Sequence, residues 1–220
     1  MLNVNNPMMS DQGAVSARLA AGLELMKVTL SGDQTDAMVR YLLLLQRWSR
    51  AYNLTAVRTP LEMVPRHLLD SLSALPYLGG DKLLDLGTGP GLPGIPLAIA
   101  APERVFYLLD SNGKKIRFLR QAVIELGLGS AIMIQARVES YLRGKEFATI
   151  VSRAVASIPD LLGLTARLPA RPARLLAMAG KRPAVAEFQR LEPGPDTLSI
   201  HPIKVPFLAA ERHLIEARYD

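Results

Sequence analysis

The chain has 220 residues, 49% of them hydrophobic and 21% charged, which suits one core with an appendage and is too short for a multidomain enzyme. Lys and Arg number 26 against 20 Asp and Glu, and the resulting +6 favours an anionic partner while lying below the basicity of a DNA-packaging protein. There is no cysteine, which excludes disulfides, Cys-ligated zinc, Fe–S clusters and thiol nucleophiles and fits a reducing, cytoplasmic setting.

The first 13 residues have no basic stretch ahead of an apolar run, so they read as a flexible tail and not as a secretory signal. Residues 14–80 read as a helical region packed on the core, because Met38, Leu42, Leu45 and Trp48 recur every three or four positions and share one face. Ser31 with Gln34, and Thr59 with Glu62 after Pro60, match the helix-start pattern in which a side-chain oxygen and a reciprocal acid or amide satisfy free N–H groups. Pro65 predicts a kink or a fresh start near Arg66. No apolar stretch approaches the roughly 20 residues of a bilayer span, so no membrane partner is expected.

From Lys82 the texture changes to short apolar strands at 83–86, 105–109, 132–135 and 149–151, separated by helical patterns such as 115–126. This alternation predicts an α/β fold with a mostly parallel sheet. Later strands are expected at 174–178, 199–205 and 214–219, the last two close enough to pair antiparallel. Cations without acids fill 111–124 and 161–186, giving two basic segments beside the sheet.

The stretch from Asp85 to Gly94, DLGTGPGLPG, follows a strand and precedes a helix. Glycines there let the backbone approach a ligand closely, and the turn into a helix offers free N–H groups. Gly89, Gly91 and Gly94 satisfy the dinucleotide pattern, so a nicotinamide-dependent reductase is one reading. Three features point instead to a small zwitterionic ligand. Asp85 can hold the loop or accept from an ammonium group; Pro90, Pro93 and Pro96 remove donors a pyrophosphate needs; and too little chain remains for a substrate domain. Asp110, about twenty residues on, stands where an acid can accept from both ribose hydroxyls of an adenosine. It can also start the turn into the next helix. Val138 and Glu139 follow the third strand, where an adenine lies in a doubly wound sheet.

Taken together, DLGTGPGLPGIPLAI, RWSRAYNLT, RHLLDS, LLDS with KKIRFLRQ, RVE, VSRAVAS and the later ERHL resemble the RsmG (GidB) family of small-subunit ribosomal RNA methyltransferases. The resemblance is dense over residues 38–160. It implies a class I, Rossmann-like methyltransferase core over 81–220, with a seven-stranded, mostly parallel sheet whose last strand is antiparallel. It also implies an S-adenosylmethionine enzyme that methylates N7 of a guanine in the decoding-centre loop of 16S rRNA (guanine 527 in the family). Carried over by motif, Gly87, Leu92, Val138, Glu139 and Arg153 are cofactor contacts, with Gly89, Gly91 and Asp110 joining them by position. Where the family has Lys-Gly after the fifth strand, this chain has Ala179-Gly180, with Lys181 beyond.

N7 of guanine has a lone pair and no proton, so positioning suffices and no general base is expected. The missing thiol closes the route to C5 of a pyrimidine, and the absence of a Pro-Pro dipeptide removes the motif of amino-group methylases. Arg153 can bind the methionine carboxylate or guanine O6, and its alternative role is a structural ion pair. Lys114, Lys115, Arg117, Arg120, Arg167, Arg171, Arg174, Lys181 and Arg182 are candidate phosphate contacts for rRNA or the small subunit. Tyr52, Trp48 and Tyr141 are candidate stacking partners for an unpaired base, Trp48 doubling as core. Arg66, His67 and Asp70 sit three to four apart on one helix, as a site edge or a salt-bridged patch. No metal site is proposed. The rival readings are a small-molecule methyltransferase, the reductase, and a noncatalytic RNA-binding module.

Overall fold

Helix α1 (Pro7–Met26) begins inside the segment expected to be a loose tail, so the chain is helical from Pro7 onward. Proline suits that first position, where its missing N–H would have no intrahelical partner. The computed structural model describes residues 7–142, 145–153, 157–165, 174–183 and 194–219. Helix α2 (Gly32–Tyr52) opens on the expected reciprocal cap between Ser31 and Gln34, and it ends at Asn53 in the left-handed region. Its buried face carries Met38, Tyr41, Leu42 and Leu45.

Thr59 caps α3 (Pro60–Met63), which passes into a π-helical turn (Val64–Leu69) and then α4 (Asp70–Leu72). The path neither breaks nor restarts at Pro65. Proline has no N–H to donate and its ring crowds the preceding turn, and the wider π turn accommodates both. This turn carries Arg66 and His67. Leu75–Tyr77 form a 3-10 turn into the sheet.

The strands are β1 (Lys82–Leu86), β2 (Val105–Asp110), β3 (Ala131–Gln135), β4 (Thr149–Arg153), β5 (Arg174–Ala179), β6 (Thr197–Pro202) and β7 (His213–Arg218). They form one seven-stranded sheet in the order β3-β2-β1-β4-β5-β7-β6. Pairings from β3 through β5 are parallel, whereas β7 runs antiparallel to both β5 and β6 and lies between them. Helices α5 (Gly94–Ala100), α6 (Gly113–Leu126), α7 (Val138–Tyr141) and α8 (Ile158–Thr165) lie on the connections.

Alternation along β1 divides the core. Leu83 joins a cluster with Val15 and Leu19 of α1, Leu42 of α2, Ile95 of α5 and Phe118 of α6. Leu84 and Leu86 join a second cluster with Leu162, Leu175 and Ile215. The helical region thus shares one apolar layer with a face of the sheet. Strand order reverses at β1, between β2 and β4, and this is where a crevice opens beyond the carboxyl ends of the strands.

Candidate active site

At that crevice the chain turns sharply through Gly87, Gly89 and Gly91, all with positive φ. Asp85 is fully buried beneath the turn, where Oδ2 accepts from Thr88 Oγ1 at 2.6 Å and from Gly94 N at 2.7 Å. Of its two expected roles it therefore takes the first, closing the loop onto α5. Burial pushes its carboxyl up to about 7, opposed by those two hydrogen bonds and by Arg153. From the other side, the buried Tyr41 hydroxyl donates to Pro90 O at 2.9 Å, a brace from α2.

The turn forms one wall of a cleft of about 780 Å³, within the usual range for a small-ligand site. Leu86 to Pro90 and Leu92 line it, as do Asp110, Val138, Glu139 and Arg153. Gly91 does not line the cleft. It faces inward, where a Cβ would stand 2.6 Å from Ile95 Cδ1, so its expected cofactor contact becomes a packing role. At Gly89 a Cβ would meet nothing nearer than 4.0 Å, which leaves that part of the cradle open.

Asp110 closes the end of β2 with side-chain exposure of only 8%. Its Oδ2 accepts from Gly89 N at 3.0 Å and from Lys115 Nζ at 3.2 Å, and Oδ1 accepts from Asn112 N at 2.8 Å. Through Oδ1 Asp110 starts the turn into α6, as expected, while the cap of that helix is Asn112, whose side chain accepts from Lys114 N. Lys115, expected on RNA, is instead a cleft residue paired with Asp110. The turn from β2 into α6 brings its side chain back over the strand end.

The opposite wall is cationic and comes from distant parts of the chain. Arg153 Nη1, at the end of β4, donates to Asp70 Oδ2 and to Arg66 O, each at 3.1 Å. Arg212 Nε, just before β7, donates to Asp70 Oδ1 at 2.9 Å. Arg153 is thus both a cleft residue and an ion-pair partner. His67 Nε2 and Thr55 Oγ1 are 2.8 Å apart, while Val57 N donates to the same hydroxyl, tying the loop after α2 to the π turn. Burial, then Arg153, lowers the His67 pKa to about 4, so the ring is neutral at physiological pH.

Other expected contacts separate. Lys114, Arg117 and Arg120 are exposed along α6, and Lys181 and Arg182 are exposed after β5. Arg174, expected to contact phosphate, has a different setting. It starts β5 at the end remote from the cleft, pairs with buried Glu216 at 3.2 Å and donates to Tyr77 O, so it is structural. The sheet turns this cation inward because Glu216 on β7 requires compensation. Arg167 and Arg171 lie outside the described residues. Trp48 stacks on Tyr52, with ring centroids 5.2 Å apart, and meets Phe118 edge-on, so it serves the core. Tyr141 packs on Phe147. Among the described residues, no helix is long and apolar enough to cross a membrane, and no group of three His, Cys, Asp or Glu side chains could hold a metal.

Tyr41, Arg137 and Arg212 are cleft or loop residues that were not expected from the sequence, while Asp70 combines both of its expected settings, lying at the site edge and in a salt-bridged cluster. Arg212 lies in the ERHL that extended the family resemblance, and Asp70 in RHLLDS. Their pairing across 142 positions leaves no local signature.

This sheet order, glycine turn and crevice are those of the class I methyltransferases. The fold superimposes on the Synechocystis magnesium protoporphyrin IX methyltransferase with bound SAH at a TM-score of 0.57, with 18% identity, 86% of this chain and 100% of that chain covered. The chain belongs to the GidB family, rRNA small subunit methyltransferase G, whose sequence model matches residues 34–215. It is 48% identical over 200 residues to ribosomal RNA small subunit methyltransferase G of Methylococcus capsulatus, covering 91% of this chain and 97% of that one. To the Yersinia enterocolitica protein of the same name it is 46% identical, covering 89% and 93%.

Proposed function

We propose that the chain binds S-adenosylmethionine in the cleft and transfers its methyl group to N7 of a guanine in the decoding-centre loop of small-subunit rRNA. The observation that carries this reading is the pairing, in a chain of this family, of an open glycine cradle ending in Asp110 with a cationic wall built on Arg153 and Arg212. The sulfonium cofactor supplies an electrophilic methyl. Asp110 accepts from the ribose hydroxyls, and the backbone at Gly87, Gly89 and Leu92 lets the cofactor lie close to the loop. Val138 and Glu139 border the adenine, and Arg153 holds the end away from it.

Guanine N7 loses no proton on methylation, so these residues need only align the two reactants. Such positioning is worth on the order of 7 to 11 kcal/mol. The exposed cations Lys114, Arg117 and Arg120 engage phosphates, with Arg171 a further candidate, and the substrate places the enzyme in the cytoplasm. N7 methylation makes a nucleotide sensitive to reduction and aniline cleavage. RNA from cells lacking this protein is expected to lose one cleavage site in the small-subunit RNA. Wild type restores it and Asp110→Ala does not. An unchanged cleavage pattern in the deletion overturns the assignment. Turnover on a small molecule that ignores salt would instead identify a small-molecule methyltransferase.

A further inference from the structure

The cationic wall contains more than a single arginine contact. Asp70 is nearly enclosed, with 5% of its side chain exposed, and each carboxylate oxygen takes one guanidinium N–H, from Arg153 and from Arg212. These two arginines come from different strand ends and converge on this carboxylate. Arg153 Nη1 is further committed to Arg66 O and Arg212 Nη1 to Glu211 O. The Nη2 groups of both arginines have no protein partner among the described residues. Both arginines line the cleft, with side chains 21% and 22% exposed. One buried anion between two cations leaves a net positive charge at the wall, in a setting where charge-assisted, fork-shaped hydrogen bonds are strong.

We propose that Asp70 is a positioning residue that presents Arg153 and Arg212 as a paired receptor for one singly charged oxyanion of the reaction complex. This rests on the methyltransferase reading above. Two oxyanions of that complex have the matching chemistry, the cofactor's carboxylate and a backbone phosphate of the target RNA. Asp70 fixes the separation and tilt of the two guanidinium groups. Neutralising it frees both to swing and raises their mutual repulsion, so the receptor fails although both arginines remain.

The test is direct binding by wild type, Asp70→Asn, Arg212→Gln and Arg212→Lys. Calorimetry uses S-adenosylmethionine and its decarboxylated analogue, and filter binding uses undermethylated small-subunit rRNA across a salt series. Asp70→Asn and Arg212→Gln are expected to weaken one ligand by about tenfold or more, with Arg212→Lys recovering part of the loss as a point charge. If the occupant is the carboxylate, the loss appears with S-adenosylmethionine and vanishes with the decarboxylated analogue. If it is a phosphate, RNA binding weakens and Arg212→Gln lowers the salt slope by about one. Should Asp70→Asn fail to fold, the two Arg212 variants decide the matter, since their side chain is more exposed. Unchanged affinity of Arg212→Gln for both S-adenosylmethionine and RNA overturns the receptor. A wild-type protein that binds no S-adenosylmethionine overturns the cofactor reading instead.

Discussion

Asp110 and Asp85, near the carboxyl ends of β2 and β1, both accept from the glycine turn and do different work. Asp110 faces the cleft, so Asp110→Ala is expected to remove a charged acceptor worth roughly 1.5 to 3 kcal/mol from cofactor binding, about ten- to a hundredfold in Kd by calorimetry. Asp85 faces the interior, and its pKa of about 7 makes it a determinant of pH-dependent stability. A carboxyl that binds its proton more tightly when folded withdraws stability as pH rises from its ordinary 3.8 towards 7. His67 has the opposite sign in an overlapping window, losing stability as pH falls from 6.5 towards 4. Comparing Asp85→Asn with wild type at each pH therefore isolates the aspartate. The variant is expected to gain unfolding free energy relative to wild type as pH rises from 4 to 7, by as much as roughly 4 kcal/mol in chemical unfolding. An amide can still accept from Thr88 and Gly94, and it places a neutral group where Oδ1 is now buried without a partner. A flat difference across that range would mean Asp85 stays ionised.

Helix α6 and strand β5 each carry cations that look alike in sequence and differ in setting. Lys114 and Arg117 are exposed on α6, so replacing both by glutamate is expected to weaken RNA binding and lower its salt slope by about two while leaving cofactor affinity unchanged. Arg174 at the start of β5 predicts the reverse. Among the described residues, removing it leaves Glu216 with His201 and Arg218, so Arg174→Ala should lower stability by about 1 to 3 kcal/mol in chemical unfolding with no change in the RNA salt slope. The strands themselves were legible because alternating short apolar runs and the glycine turn are local signals. The π turn was not: Pro65 announces a disturbance, but whether the chain breaks, kinks or widens depends on what packs against it.

Across the whole molecule, α1 and α2 share an apolar layer with the sheet, so the helical region and the core should unfold together. Leu19→Ala, at a fully buried position of α1, is expected to cost about 2 to 5 kcal/mol and to shift a single calorimetric transition downward. A separate early transition would instead mean that the helical region is an independent unit. The sequence by itself determined the α/β alternation, the glycine turn between the first strand and its helix, and the placement of Asp110 at the end of the second strand. Each depends on residues within about one strand–turn–helix unit. Only the tertiary structure decided which cations line the cleft. Arg153 and Arg212 meet on Asp70 across 83 and 142 positions, Lys115 folds back onto Asp110, and Arg174 turns inward to Glu216. A charged side chain has no intrinsic preference among such partners. Its role follows from which carboxylate the strand order brings within hydrogen-bond reach and how much water that neighbourhood excludes.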